Sequence, residues 1–126
     1  MKEIISTDGA PAAVGPYSQA VKAGNLLFVS GQIGIDPATE KIVEGDIRDQ
    51  VSMTLKNVSA ILEAAGMDLS AVVKTTVLLQ SIEDFSAMNE VYETFFTGNK
   101  PARAAFEVAK LPLGALVEIE AVAYLG

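Results

Sequence analysis

The amino-acid sequence predicts an α+β fold, in which two α-helices pack against one face of a mixed β-sheet. Two segments have apolar residues at helical spacing, and the segments around them are rich in β-branched or alternating apolar residues. The resulting order of elements is ββ(β)αβαββ. Because the chain has 126 residues and no internal repeat or linker, we expect a single domain that spans residues 1–126.

The first predicted elements are a loop and a hairpin. Residues 6–16 are rich in Gly, Pro and Ala, which favours an irregular loop near the N-terminus. Residues 17–22 and 26–30 are β-like, and Ala23-Gly24-Asn25 between them is a typical turn sequence. The chain is therefore expected to enter the sheet through two antiparallel strands.

A turn at residues 36–39 and a short edge strand at 40–45 precede the first predicted helix. Asp46 is expected to cap a helix that runs to about Ala65, with Gly66 as the residue after its C-terminal cap. Apolar residues recur at steps of three and four and form one stripe. They are Ile47, Val51, Leu55, Val58 and Leu62.

The second predicted helix opens at Ser81. Asp84 lies three positions on, as in a capping box. Gly98 ends this helix, and Pro101 prevents its continuation. Its core stripe consists of Phe85, Met88, Tyr92, Phe95 and Phe96.

Three further segments are predicted to be strands. Residues 71–79 are β-branched and apolar, as in a strand buried on both faces. Residues 102–108 and 115–124 flank Leu111-Pro112-Leu113-Gly114, which favours a loop between antiparallel partners. Since two helices cover only one face of this sheet, its second apolar face is expected to be buried by oligomerisation.

Composition excludes several classes of chemistry. The chain contains no cysteine and no histidine, so disulfides, thiol nucleophiles and histidine-based triads are impossible. A zinc site would rest on carboxylates alone, and we therefore expect no metal. The net charge of −7 and the scattered lysines argue against nucleic-acid binding. The chain lacks a long apolar run and a signal-peptide pattern, which predicts a cytoplasmic protein without membrane association.

Arg103 is the first candidate site residue, because it lies in the otherwise apolar segment Pro101–Phe106. A guanidinium in such a strand is costly unless it is paired. One interpretation is an internal ion pair. The other is a clamp for a substrate carboxylate, which the planar guanidinium fork can hold through two parallel hydrogen bonds. The sequence leaves both interpretations open.

Glu118 and Glu120 are the second candidates. Alternation along a strand places both on one face, with Val117, Ile119 and Ala121 on the other. They are either a solvated strand face or, for one of them, a group that lies near the Arg103 strand and orients a water molecule. With no histidine or cysteine present, a partly buried glutamate is the best available general base.

Weaker signals come from small and polar residues in other segments. Tyr17, Ser30 and Gly31 follow turns or end strands, where they form either ordinary turns or the lining of a small pocket. Asn89 lies beside Met88 in the second helix and either faces solvent or donates a hydrogen bond into a pocket.

These segments together resemble one family along essentially the whole chain, the Rid/YjgF family. The resemblance rests on Gly15–Ala20, Phe28–Gln32, Asn89–Tyr92, Pro101–Ala105 and Leu111-Pro112 followed by Val117–Ala123. It implies a chorismate-mutase-like fold and a homotrimer with active sites between subunits. It also implies hydrolysis of 2-iminobutanoate and 2-iminopropanoate, the imines that pyridoxal-phosphate dehydratases release, to 2-keto acids and ammonia. Because an imine is already electrophilic, we expect no cofactor.

The resemblance further implies roles for individual residues. Arg103 matches the arginine that binds the substrate carboxylate, and Glu118 matches the acid that positions the attacking water. Tyr17, Ser30, Gly31 and Asn89 match pocket-lining positions. Ala105 stands where some relatives carry cysteine, which removes thiol chemistry but keeps a backbone amide for the substrate.

Two other functions remain open from the sequence. The first is a non-catalytic module that binds a 2-keto acid or another small metabolite. The second is an interaction protein of chaperone type, or a ribonuclease. The acidic charge and the absence of histidine argue against the ribonuclease.

Overall fold

The protein is an α+β structure in which two helices cover one face of a six-stranded sheet, as predicted. The computed structural model describes residues 1–126. The strands are β1 Glu3–Ile5, β2 Ala20–Ala23, β3 Leu26–Gln32, β4 Ile35–Asp36, β5 Lys41–Ile42, β6 Val72–Leu79, β7 Ala102–Glu107 and β8 Val117–Tyr124. The helices are α1 Ile47–Ala64 and α2 Phe85–Phe95. Neither is long and apolar enough to cross a membrane.

The main sheet has the strand order β1-β2-β3-β8-β6-β7. The β6–β7 pair is parallel, and every other neighbouring pair is antiparallel. β4 and β5 form a separate two-stranded sheet. The core lies between the main sheet and the helices, where one cluster of 22 buried residues contains Leu55, Met88 and Ile119.

α1 begins and ends as the sequence predicts. Asp46 accepts a hydrogen bond from the Arg48 backbone N–H, and the Asp49 side chain accepts one from the Asp46 N–H, so a capping box closes the N-terminus. Ala65 is the C-terminal cap, and Gly66 follows with φ of 76°. All five residues of the predicted apolar stripe are buried.

The second predicted helix is wrong at both ends. Ser81 caps a short 3₁₀ turn at Ile82–Asp84 by accepting a hydrogen bond from the Glu83 N–H, and Asp84 forms no side-chain cap. α2 therefore begins at Phe85, and it ends at Phe95 rather than at Gly98. α2 begins later than predicted because Ser81 caps the 3₁₀ turn, and α geometry starts only after that turn.

The predicted pairing of the last two strands is also wrong. β7 is parallel to β6 at the sheet edge, and β8 lies between β3 and β6. α2 is the crossover that brings β7 alongside β6, as parallel neighbours require. The Gln80 N–H then bonds the Leu116 carbonyl, and the Gln80 Oε1 accepts from the Leu111 N–H, which directs the chain to the other side of β6.

Smaller differences concern the N-terminal third. β2 begins at Ala20 rather than at Tyr17, the edge strand shrinks to β5, and β1 was not predicted. The predicted turn at residues 36–39 is present as the link between β4 and β5. In the single chain only alternate residues of β6 are buried, whereas the sequence predicted burial on both faces of this strand.

Candidate active site

Arg103 lies on the edge strand β7 and points to the helix side of the sheet. Its register partner Thr75 is buried, and Thr75 in turn pairs with buried Ala121. Residues directly opposite each other share a face of a sheet. Because α2 packs on that side, the Arg103 guanidinium reaches the side chains of this helix.

Side chains of α2 surround the Arg103 guanidinium. Nη1 donates a hydrogen bond of 2.7 Å to the Asn89 Oδ1. The guanidinium carbon lies 4.8 Å from the centroid of the Tyr92 ring and 5.6 Å from that of Phe85. Both ion pairs of the chain involve Arg48, so Arg103 has no carboxylate partner. The internal ion pair that the sequence left open is therefore absent.

A cavity of about 370 Å³ opens beside this guanidinium. Arg103, Lys100 and Asn89 supply its polar lining together with Glu93, and Tyr92 forms part of its wall. An unneutralised guanidinium at a cavity is suited to bind an anion from solvent. Since only the Nη1 side of the fork bonds Asn89, the remaining N–H groups are free for a carboxylate.

Glu118 lies on the central strand β8 and points to the other side of the sheet. Val117, Ile119, Ala121 and Ala123 are buried against the helices, while Glu118 and Glu120 face away from them. Burial raises the pKa of the Glu118 carboxyl above its usual range, and the negative charge of Glu120 raises it further. A raised pKa lets this carboxyl exchange a proton closer to neutral pH.

A β-bulge and a glycine make room for the Glu118 carboxylate. Val29 pairs with Ala121 and Gln32 with Ile119, so β3 carries one extra residue at Ser30-Gly31. A Cβ at Gly31 would overlap Glu118 Oε2 and lie 2.9 Å from its Cδ. Only glycine therefore allows the carboxylate to lie over this stretch of backbone.

A larger cavity, about 640 Å³, adjoins Glu118. Tyr17, Ser30, Gly31 and Glu118 all line it. Its other walls come from the loop before β2 and the loop before β8, which add apolar side chains. These include Pro11, Val14, Pro112 and Leu113.

Glutamine side chains hold these two loops in place. Gln19 accepts from the Thr7 N–H at 2.7 Å and donates to the Pro11 carbonyl at 2.7 Å. Gln50 on α1 accepts from the Leu116 N–H at 2.8 Å. Neither glutamine was singled out as a candidate from the sequence. Gln50 interrupts an apolar helix face, and that position was the available signal.

Six of the seven candidate site residues line one of the two cavities. Arg103 and Asn89 line the smaller cavity, and Tyr17, Ser30, Gly31 and Glu118 line the larger one. Ala105 lies on the helix side opposite Val77 and lines neither cavity. Glu118 pairs with Leu78, three positions from Thr75, so Glu118 and Arg103 lie on opposite faces of the sheet. A single copy does not bring them together.

No group of three or more carboxylates lies close enough to hold a metal ion. The smaller cavity presents a guanidinium that can bind an anion. The larger cavity presents a carboxyl with a raised pKa, next to hydroxyl groups and backbone.

Comparison with known proteins places these features in a family. The family model described as endoribonuclease L-PSP matches residues 7–125. A RutC family protein of Pyrococcus horikoshii is 58% identical over 124 residues, which are 98% of each chain. The 2-iminobutanoate/2-iminopropanoate deaminase of Mus musculus is 51% identical over 126 residues, covering 100% of this chain and 93% of the relative.

Solved structures agree with the sequence matches. A member of the Rid protein family from Yersinia pestis has a TM-score of 0.97 at 45% identity and covers 99% of this chain and 100% of its own. Escherichia coli TdcF with bound serine has a TM-score of 0.95 at 42% identity, covering 98% and 99%. The chain belongs to the endoribonuclease L-PSP family, the Rid/YjgF family that its motifs indicated.

Proposed function

We propose that this protein hydrolyses reactive 2-imino acids, such as 2-iminobutanoate and 2-iminopropanoate, to 2-keto acids and ammonia. The observation that carries the proposal is the Arg103 guanidinium, which lies at a cavity with no carboxylate partner. Relatives about half identical to this chain along its whole length are named deaminases for these two imines. The serine in TdcF carries the same type of carboxylate as the proposed substrate.

The proposed active form is a homotrimer with composite active sites. The outer face of the sheet exposes Phe28, Phe106 and Tyr124 to between 46% and 50%, which favours burial against another copy. Arg103 and Glu118 lie on opposite faces of one sheet, so two copies are needed to form one site. One copy supplies Arg103 and Asn89, and the neighbouring copy supplies Glu118 with the residues of the larger cavity.

The proposed reaction begins when Arg103 binds the substrate carboxylate. A water molecule oriented by Glu118 adds to the imine carbon, so a C–O bond forms and the C=N electron pair moves to nitrogen. Glu118 accepts a proton from the water and transfers it to that nitrogen. The hydroxyl proton of the adduct then passes through Glu118 to the same nitrogen, the electron pair left on oxygen forms the C=O bond, the C–N bond breaks and ammonia leaves. A carboxyl with a raised pKa suits both proton transfers.

The remaining site residues position the substrate. Tyr17 and Ser30 place hydroxyls around the reacting centre, and Gly31 gives the Glu118 carboxylate its room. Backbone groups at Ser30 and Gly31 stabilise developing charge. The Ala105 backbone, on the edge strand β7 of the copy that supplies Arg103, is proposed to join them in the assembled site. An imine is already electrophilic, so positioning supplies most of the few kcal/mol that catalysis requires, and the reaction needs no cofactor.

The link to pyridoxal-phosphate dehydratases and the cytoplasmic location stay predictions. One alternative function is a module that binds a 2-keto acid without catalysis, which the serine-bound structure of TdcF favours as a type of ligand binding. The ribonuclease activity in the family description fits this chain poorly. A net charge of −7 and no histidine oppose RNA binding and cleavage.

A coupled assay tests the proposed function. Threonine dehydratase generates the imine, and semicarbazide traps whatever survives. We expect the protein to lower the yield of semicarbazone, and Arg103→Ala to abolish this effect while the fold is retained. Arg48→Ala is the matched control, because Arg48 forms exposed ion pairs away from both cavities. Full activity of Arg103→Ala, or no activity of the unmodified protein, contradicts the proposal.

A further inference from the structure

We infer that Tyr92, anchored by Thr75, is a positioning residue that sets the plane of the Arg103 guanidinium for carboxylate binding. This inference rests on the proposed function and extends it to residues that do not touch the reacting atoms. In the core beneath the smaller cavity, the hydroxyls of Thr75 and Tyr92 share a hydrogen bond of 2.7 Å.

The Thr75–Tyr92 hydrogen bond is buried and joins the sheet to α2. Thr75 is 1% exposed and Tyr92 6% exposed. Thr75 is also the register partner of Arg103 across β6 and β7. The strand that fixes the backbone of Arg103 therefore also fixes the tyrosine on which its guanidinium rests.

The Tyr92 ring holds the guanidinium without neutralising it. The guanidinium carbon lies 4.8 Å from the ring centroid, within the range of a favourable cation–π contact. A carboxylate in the same place would satisfy the charge and compete with the substrate. Together with the Asn89 contact at Nη1, the ring fixes the plane of the fork and leaves its other N–H groups free.

Burial also keeps the Tyr92 hydroxyl protonated. Desolvation raises the pKa of Tyr92, and this outweighs the opposing effects of the Thr75 hydrogen bond and the Arg103 charge. The neutral phenol stays available to the Thr75 hydroxyl throughout the pH range of an assay. The anchor is therefore independent of pH, and its loss is expected to alter affinity and not the pH profile.

The expected effect is on binding of the carboxylate. Because Arg103 grips this group in substrate and transition state alike, a misoriented fork raises KM and leaves kcat nearly unchanged. Tyr92→Leu removes the ring, and the Kd for 2-ketobutanoate is expected to rise about 10-fold. Tyr92→Phe and Thr75→Val keep the local volume but lose the anchor, and a rise of about 3-fold is expected for each.

The test measures the Kd for 2-ketobutanoate by calorimetry and KM and kcat in the coupled assay. Thr75→Ser is the matched control, since it retains the hydroxyl and should bind like the unmodified protein. The double variant Thr75→Val/Tyr92→Phe should be no weaker than either single variant, because both remove the same hydrogen bond. If Tyr92→Leu fails to fold, Thr75→Val and Tyr92→Phe decide the question.

Two results overturn the inference while the proposed function stands. One is an unchanged Kd and KM in Thr75→Val and Tyr92→Phe. The other is a lower Tm in these variants with kcat reduced and KM unaffected, which is the pattern of a merely structural role. An unmodified protein that neither hydrolyses imines nor binds 2-ketobutanoate is a different result, because it refutes the proposed function and this inference with it.

Discussion

The two cavities hold their charged residues by opposite means. Arg103 lies on an edge strand, where an amide and two aromatic rings orient its charge without neutralising it. Glu118 lies on a central strand, where burial and a second carboxylate disfavour its charge and raise its pKa. The first arrangement suits binding of an anion, and the second suits transfer of a proton. The cavity beside Arg103 lacks the carboxyl with a raised pKa, and the cavity beside Glu118 lacks the guanidinium.

This difference shows how a small chain without histidine or cysteine can provide an acid–base site. Neighbouring side chains set the properties of one guanidinium and one carboxyl, so no unusual residue type is needed. It also underlies the proposed composite site, since the two groups lie on opposite faces of the sheet in one copy.

The largest effect on kcat/KM is expected from a substitution of Arg103. Arg103→Lys keeps a positive charge but cannot make two parallel hydrogen bonds to a carboxylate. We expect kcat/KM to fall roughly 100-fold, because charged hydrogen bonds are lost. Steady-state kinetics of imine hydrolysis provide the measurement. A variant with more than half of the original kcat/KM would show that charge alone suffices.

Gly31→Ala tests whether the Glu118 carboxylate requires the space beside Gly31. The added methyl group overlaps the Glu118 carboxylate, so the carboxylate must move. A displacement of this size is expected to lower kcat roughly 50-fold. Gly98→Ala is the matched control, since a Cβ there meets open space and its φ is not positive. Equal kcat values for the two variants would contradict the role of Gly31.

The pH dependence of kcat tests the raised pKa of Glu118. As the base, Glu118 must be ionised, so kcat is expected to rise with pH through a pKa above that of an ordinary glutamate. Glu120→Gln removes a neighbouring negative charge and should shift this acidic limb to lower pH. Glu118→Gln should abolish the limb. A limb at the same pH in all three proteins contradicts the assignment.

The same shift predicts an effect on stability with the opposite sign to that on activity. The pKa of Glu118 is higher in the folded state than in the unfolded chain, so the ionised form destabilises the fold. Stability should therefore decrease as pH rises through the folded-state pKa, and Glu118→Gln should have a higher Tm at neutral pH. Thermal unfolding of both proteins at two pH values measures this. A lower Tm for Glu118→Gln would mean that its carboxylate stabilises the fold.

A smaller effect on activity is expected from the loop that Gln19 holds. Gln19→Met keeps the length of the side chain but leaves backbone groups of residues 7–11 without their partners. We expect the free energy of unfolding to drop by about 2 kcal/mol and kcat/KM to fall only a few-fold. Urea denaturation measures the first quantity. An unchanged midpoint would show that water replaces these hydrogen bonds.

Much of the architecture follows from local patterns in the sequence. The alternation in Val117–Ala123 correctly placed Glu118 and Glu120 on one face, and Asp46 and Gly66 correctly bounded α1. The partner of β7 was wrong, because parallel pairing depends on where α2 carries the chain. No local pattern in the sequence reports that contact.

Candidate site residues could be selected from the sequence, but their arrangement could not be predicted from it. Arg103 stood out because a charge in an apolar strand requires an explanation, and Glu118 because it alternates with buried residues. Their separation onto opposite faces depends on the register between three strands, which no motif encodes. The roles of Gln19 and Gln50 were missed because their partners are backbone groups of loops, whose positions no side-chain pattern reports.

Complementation between two strongly impaired variants tests the composite site most directly. Arg103→Ala and Glu118→Gln chains are unfolded together, refolded as a mixture and assayed for imine hydrolysis. If neighbouring copies supply the two residues, equal mixing should restore about a quarter of the original activity per chain, since one site in four combines both intact residues. If one copy supplies both residues, activity stays at the average of the two variants, and the account of the site is wrong.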